Sequence, residues 1–253
     1  KHILERMNGK MEYGLQLYSV RDITEKNLEG ALSKVAEIGY SFVEFAGFFG
    51  NTAEEVAAMM AKYGLKTSGT HSNWRDLVTD FEGTVAYHKA IGNKNFIVPG
   101  TDLWTRETMD EFIKYANELQ PRLAAEGITF GFHNHYKEFK VTEEGYIPYL
   151  ELVEKTNIKL ELDIYWAYVA GEDPVELMEK YKERLHFIHI KDGDADGNGT
   201  PLGMGTAPVA AAYKKAIELG VPMVVESETL KPSGLEEAKI CFDHLKVLEK
   251  ELL

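Results

Sequence analysis

The feature that most constrains this chain is an eightfold alternation of short apolar or β-branched runs with longer segments of helical period. The runs are MEYGLQLYS (11–19), SFVEFAG (41–47), LKTSGTHS (65–72), NKNFIVPG (93–100), ITFGFHNHY (128–136), IKLELDIYW (158–166), HFIHIKD (186–192) and VPMVVESE (221–228). Between them, stretches such as NLEGALSKVAEIG and APVAAAYKKAIELG are apolar at i, i+3 and i+4 and stop at glycine, which takes a helix C-terminal conformation without steric cost. "Helix, glycine, strand" recurs at Gly39, Gly64, Gly92, Gly127 and Gly220. Helix starts carry capping chemistry, as in NTAEE after the second run and in GEDPVE, where Asp173 caps and Pro174 takes the first helical position. Such alternation builds a parallel sheet. Eight βα pairs in 253 residues predict an α/β chain folded as a (β/α)8 TIM barrel, a single domain over 11–253 with residues 1–10 peripheral. A doubly wound sheet would carry a Gly-rich fingerprint after its first strand, where this chain reads SVRDIT.

Charge narrows the partners. With 41 acidic against 28 basic residues the net charge is -13, and no basic patch interrupts it, which argues against nucleic acid and anionic membrane. No apolar run approaches the ~20 residues that cross a bilayer, and KHILERMNGKMEYG lacks the apolar core of a signal peptide, so a cytoplasmic location is expected. The single cysteine, Cys241, sits on the apolar side of a helical pattern and reads as a buried thiol.

In a barrel of this kind reactive groups gather at the C-terminal ends of the strands. Here the first strand ends in Gln16 and Tyr18, the second carries Glu44, and the third ends in His71. The fifth ends in His133, Asn134 and His135 with Glu138 just beyond, and the sixth in Asp163 and Trp166. The seventh ends in His189 with Lys191 and Asp192, and the eighth in Glu226 and Glu228. Asp163, His189 and Glu226 interrupt otherwise apolar strands, and a divalent cation is an effective way to hold several buried carboxylates in one place. A mixed carboxylate and imidazole set suits one Mn²⁺, Co²⁺, Zn²⁺ or Mg²⁺. His186 points by parity to another face and reads as structural; the Gly-rich DGDADGNGTPLGMGT reads as a flexible loop over the mouth.

LQLYSVRD, GTHSNW, GFHNHYKEF, LELDIYWAYVAGEDP, RLHFIHIKD and MVVESE, in this order, resemble the xylose isomerase-like TIM-barrel family of sugar (phosphate) isomerases and epimerases. The resemblance implies a divalent metal held by an acidic residue of strand five, an Asp of strand six, a His of strand seven and a Glu of strand eight. The last three fall on Asp163, His189 and Glu226, while the strand-five position reads His133, which becomes the expected fourth ligand. The implied chemistry is proton removal next to the carbonyl of a keto sugar or polyol derivative. Glu226 is metal ligand and one acid/base, with Glu138 or His135 on the other face, and Gln16, Glu44, His71, Trp166 and Lys191 contact the substrate. A histidine in place of the strand-five Glu makes a dehydratase or lyase, as in the inosose dehydratases and ketoglycoside lyases of the same structural group, the rival to isomerisation or epimerisation. A non-catalytic sugar-binding subunit and an endonuclease IV-like phosphodiesterase are the readings from other classes; the second needs more metal ligands and a basic face. The expected partner is a small carbohydrate, and the resemblance also implies a homo-oligomer.

Overall fold

The computed structural model describes residues 11–253. Eight parallel strands close into one barrel: β1 (Gly14–Gln16), β2 (Phe42–Phe45), β3 (Lys66–His71), β4 (Asn95–Val98), β5 (Thr129–His133), β6 (Lys159–Asp163), β7 (Leu185–Ile190) and β8 (Met223–Val225), the last pairing back onto β1. The expected peripheral segment 1–10 lies outside the described residues. The helical patterns form where expected. Thr52 and Glu55 make a reciprocal capping box at the start of Ala53–Tyr63, and Asp173 accepts from Val175 and Glu176 above Pro174. Gly64 and Gly220 end their helices at φ 66° and 69°, in the left-handed region that favours glycine.

The strands are shorter than their apolar runs. Leu17–Val20 winds into a 3₁₀ turn instead of extending β1. The last three residues of IKLELDIYW belong to a helix, Ile164–Val169, because Asp163 accepts from the backbone N–H groups of Tyr165 and Trp166 and starts it. Among the described residues no helix is long and apolar enough to cross a membrane.

Alternation along each strand separates two environments. Val43 and Phe45 pack in the cluster shared with the helices, whereas Phe42, Phe187 and Val224 form a separate buried cluster that fills the barrel interior. Gly14 makes room for it, since a Cβ there would stand 2.2 Å from the Phe42 ring. Two residues further along the same strands and faces come Gln16, Glu44, His189 and Glu226, so a polar layer rests on an apolar plug. Register shifts at Val43/Glu44 and Leu160/Glu161 bring Glu44 level with Gly69 and Asp163 level with His189.

His88 shows how the wall of the barrel uses a buried imidazole structurally. Its Nδ1 accepts from the Asn93 amide at 2.8 Å, and its ring lies 5.1 Å from Phe96. Burial pushes its pKa down to about 4. The unfolded chain protonates this group below its ordinary value of ~6.5. Its stabilising contribution is therefore complete above that pH and is lost as pH falls from there towards about 4. The linkage amounts to about 3 kcal/mol, so chemical denaturation of wild type and His88→Leu at pH 7 and pH 4.5 should show a shallower acid loss in the variant. Parallel losses in the two proteins would assign the acid sensitivity elsewhere.

Candidate active site

At the C-terminal ends of the strands the barrel carries two stacked layers of ionisable groups that meet at His189. In the lower layer, His189 Nε2 stands 2.7 Å from Glu44 Oε1 and 2.9 Å from Glu161 Oε1. His71 Nε2 stands 2.7 Å from the same Glu161 oxygen and 3.1 Å from the same Glu44 oxygen. The Gln16 amide donates to Glu44 Oε1 at 2.8 Å and its carbonyl accepts from the Tyr18 N–H. An ionised carboxylate only accepts, so both Nε2 atoms carry the protons in these contacts. Burial alone would raise the Glu44 carboxyl, but the His71 and His189 imidazoles outweigh it and hold it well below the usual carboxylate range. Burial would likewise lower His71, yet the Glu44 and Glu161 carboxylates push it up to about 10.

The upper layer lies on the other side of the His189 ring. His189 Nδ1 is 3.4 Å from Glu226 Oε2 and 3.7 Å from Asp163 Oδ2, and His133 Nε2 is 3.1 Å from that Asp163 oxygen. Asp163 thus divides its work: Oδ1 caps the Ile164–Val169 helix while Oδ2 faces the two histidines. Among the described residues His189 Nδ1 and His133 Nδ1 are buried with no hydrogen-bond partner. One ligand atom from each of His133, Asp163, His189 and Glu226 falls within 4.8 Å of the others, and the same holds for Glu44, His71, Glu161 and His189. Lys191, 1% exposed, donates to Glu226 at 3.3 Å and to Glu228 at 2.8 Å, with its ammonium 5.0 Å from the Trp166 ring centre. Burial opposes ionisation of Glu226, but the Lys191 ammonium and the His189 imidazole prevail and hold its carboxyl well below the usual range.

The expected residues therefore occupy different depths. His133, Asp163, His189 and Glu226 converge in the upper layer. Gln16 and Glu44 are fully buried in the lower layer and line neither cavity at the mouth. His71 reaches both the lower layer and a cavity of about 350 Å³, which it lines with Tyr18, His133, His135, Glu226 and Glu228. Glu138 is 3% exposed and accepts from the His135 N–H at 2.9 Å, so its carboxylate is engaged by the backbone beside it, and burial raises its pKa. Burial pushes the neighbouring His135 down to about 4 and keeps it neutral.

Glu161 is absent from the sequence-level candidates, yet it holds both His71 and His189. The signal was present in LELD, where Glu161 precedes Asp163 by two and so shares its face. Asp192 belongs to the next loop: it accepts from the N–H groups of Gly193, Gly203, Gly205 and Ala207. The segment expected as a flexible loop over the mouth is consequently pinned at its base, with Asp192–Gly193 and Gly199–Thr200 paired as a small hairpin.

A family model described as a xylose isomerase-like TIM barrel matches residues 32–250. An inosose dehydratase of Geobacillus kaustophilus is 25% identical over 64% of this chain; the matched stretch spans 60% of that protein's length. A sugar phosphate isomerase/epimerase from Parabacteroides distasonis superposes with a TM-score of 0.82 at 26% identity, covering 93% of this chain and 97% of that one. The probable 3-DHS dehydratase AsbF from Bacillus anthracis shares the fold, with a TM-score of 0.73 at 12% identity over 93% of this chain and 99% of its own.

Proposed function

This chain belongs to the xylose isomerase-like TIM barrel family, and from that premise we propose that it removes a proton next to the carbonyl of an unphosphorylated keto sugar or ketocyclitol and expels the adjacent hydroxyl as water. The observation that carries this reading is one-sided. The two carboxylates lining the 350 Å³ cavity, Glu226 and Glu228, both come from the end of β8, and the other ionisable lining groups are the Tyr18 phenol and the imidazoles of His71, His133 and His135. Inversion at carbon requires comparable acid/base groups on opposite faces of the substrate. Glu138, the second carboxylate expected for that task, hydrogen-bonds the His135 backbone. An elimination needs one carboxylate acting twice. Glu226 takes the proton from carbon and returns it to the departing hydroxyl, leaving a carbon–carbon double bond and one water.

The residues fit a single divalent cation, because His189 Nδ1 is a buried nitrogen without a partner facing two carboxylates. His133, Asp163, His189 and Glu226 would hold it, and when bound it would supply Lewis acidity at the ketone oxygen. The chain's own contribution is preorganised charge. Lys191 keeps Glu226 ionised as base and places an ammonium where an enolate develops. His189 is aimed by the lower layer, since Glu44 and Glu161 claim its Nε2–H and leave Nδ1 for the site. The name of the Geobacillus relative points the same way.

Incubation of the Mn²⁺-supplemented protein with an inosose in D₂O, followed by proton NMR, tests the reading. Loss of water with appearance of an unsaturated or diketo product is expected. Exchange of the proton for deuterium with interconversion of stereoisomers or ketose and aldose, and no loss of water, would return the chain to the isomerases and epimerases.

A further inference from the structure

The mouth of the barrel holds a second cavity of about 310 Å³ beside the first, the two sharing His135. Its character is different. Trp104, Tyr136 and Trp166 supply three aromatic rings, and Trp104 and Tyr136 each remain 37% exposed. Of the polar side chains that line it, Thr101 accepts from the Trp74 indole N–H at 3.1 Å and Glu138 accepts from the His135 N–H, while Lys137 and the His135 ring complete the lining. Trp166 lines this second cavity and not the first, with Lys191 5.0 Å from its ring centre and the rings of His135 and Tyr136 both 6.0 Å away.

Gly100 lines the second cavity beside His135, the residue that both cavities share. Its φ is +145°, where a side chain is strained, and a Cβ there would point at the His135 ring from 3.7 Å. A larger residue would crowd the His135 ring that lines both cavities.

A free sugar presents hydroxyls around its whole edge and would leave many of them unpaired against rings that offer so few polar partners. A flat apolar ring loses nothing there and gains stacking area. We infer that the site extends through the Gly100–His135 junction into an aromatic subsite for the apolar, planar aglycone of a glycoside, so that the substrate is a keto sugar carrying an aryl group. The inference rests on the sugar reading of the first cavity and narrows its substrate class.

Calorimetric titration of the Mn²⁺-supplemented protein with both anomers of 4-nitrophenyl glucoside and of methyl glucoside tests it. The aryl compound of one anomeric pair should bind about tenfold more tightly than its methyl partner, a stacking-sized difference. The ratio should fall towards one in Trp104→Ala and in Tyr136→Ala, whose side chains are exposed enough to be removed without unfolding the barrel. Equal affinities, no binding of either compound, or an aryl preference untouched by both variants would overturn the subsite. Titration needs no turnover. A missing preference therefore counts against the subsite alone, and failure of water loss from an inosose counts against the reaction alone.

Discussion

Glutamine in place of Glu226 is expected to lower kcat by about 10²–10⁴-fold, the range associated with a lost general acid/base. The change keeps the shape of the side chain and a carbonyl oxygen towards His189, while removing the proposed proton acceptor. Lys191 keeps its 2.8 Å contact with Glu228, so the buried ammonium is not stranded. Thermal unfolding should therefore move little. The decisive measurement is solvent deuterium incorporation into an inosose: a variant that neither eliminates water nor exchanges the proton has lost the base. Retention of kcat within a factor of a few would move proton abstraction to one of the imidazoles around the same cavity.

The second large effect is expected at a residue that lines neither cavity. Glu161→Leu should weaken Mn²⁺ binding by about 10–100-fold, as losses of the groups that orient metal-ligating histidines do. Its carboxylate is 1% exposed and lies 2.9 Å from His189 Nε2, with Glu44 on the same nitrogen at 2.7 Å. Removing one acceptor leaves the ring held from one side only. Glu161→Gln, which still offers a carbonyl to the N–H, should recover most of the affinity, whereas a purely structural loss would not be rescued in this way. Nitrogen-15 shifts of the His189 ring report the tautomer directly, with the proton expected on Nε2. Titration should also saturate at one ion per chain. Two ions would assign Glu44, His71, Glu161 and His189 to a metal site of their own and overturn the orienting role.

These two residues also mark how far the chain can be read without its fold. Glu226 was legible because a carboxylate follows directly on MVV at the end of an apolar strand, where the barrel places its chemistry. Glu161 was equally inward by parity but lies two residues before the strand end, and only the closed barrel shows it beside His71 from β3 and His189 from β7. Glu138 went the other way. Its position just beyond strand five placed it opposite Glu226, yet the turn Lys137–Phe139 folds it back onto the His135 N–H. Trp166 was read at a strand terminus and stands on a helix that Asp163 caps, where it lines the aromatic cavity and lies under the Lys191 ammonium.

By itself the sequence determined the number and order of the βα units, the helix caps, and the set of polar side chains that ends on the inner face. Those follow from local periodicity and from residues a few positions apart. Tertiary structure alone decided which carboxylate meets which imidazole. Such pairings span up to 145 residues, as between Glu44 and His189, and depend on closure of the barrel and on register shifts at Glu44 and Glu161 that no local pattern records.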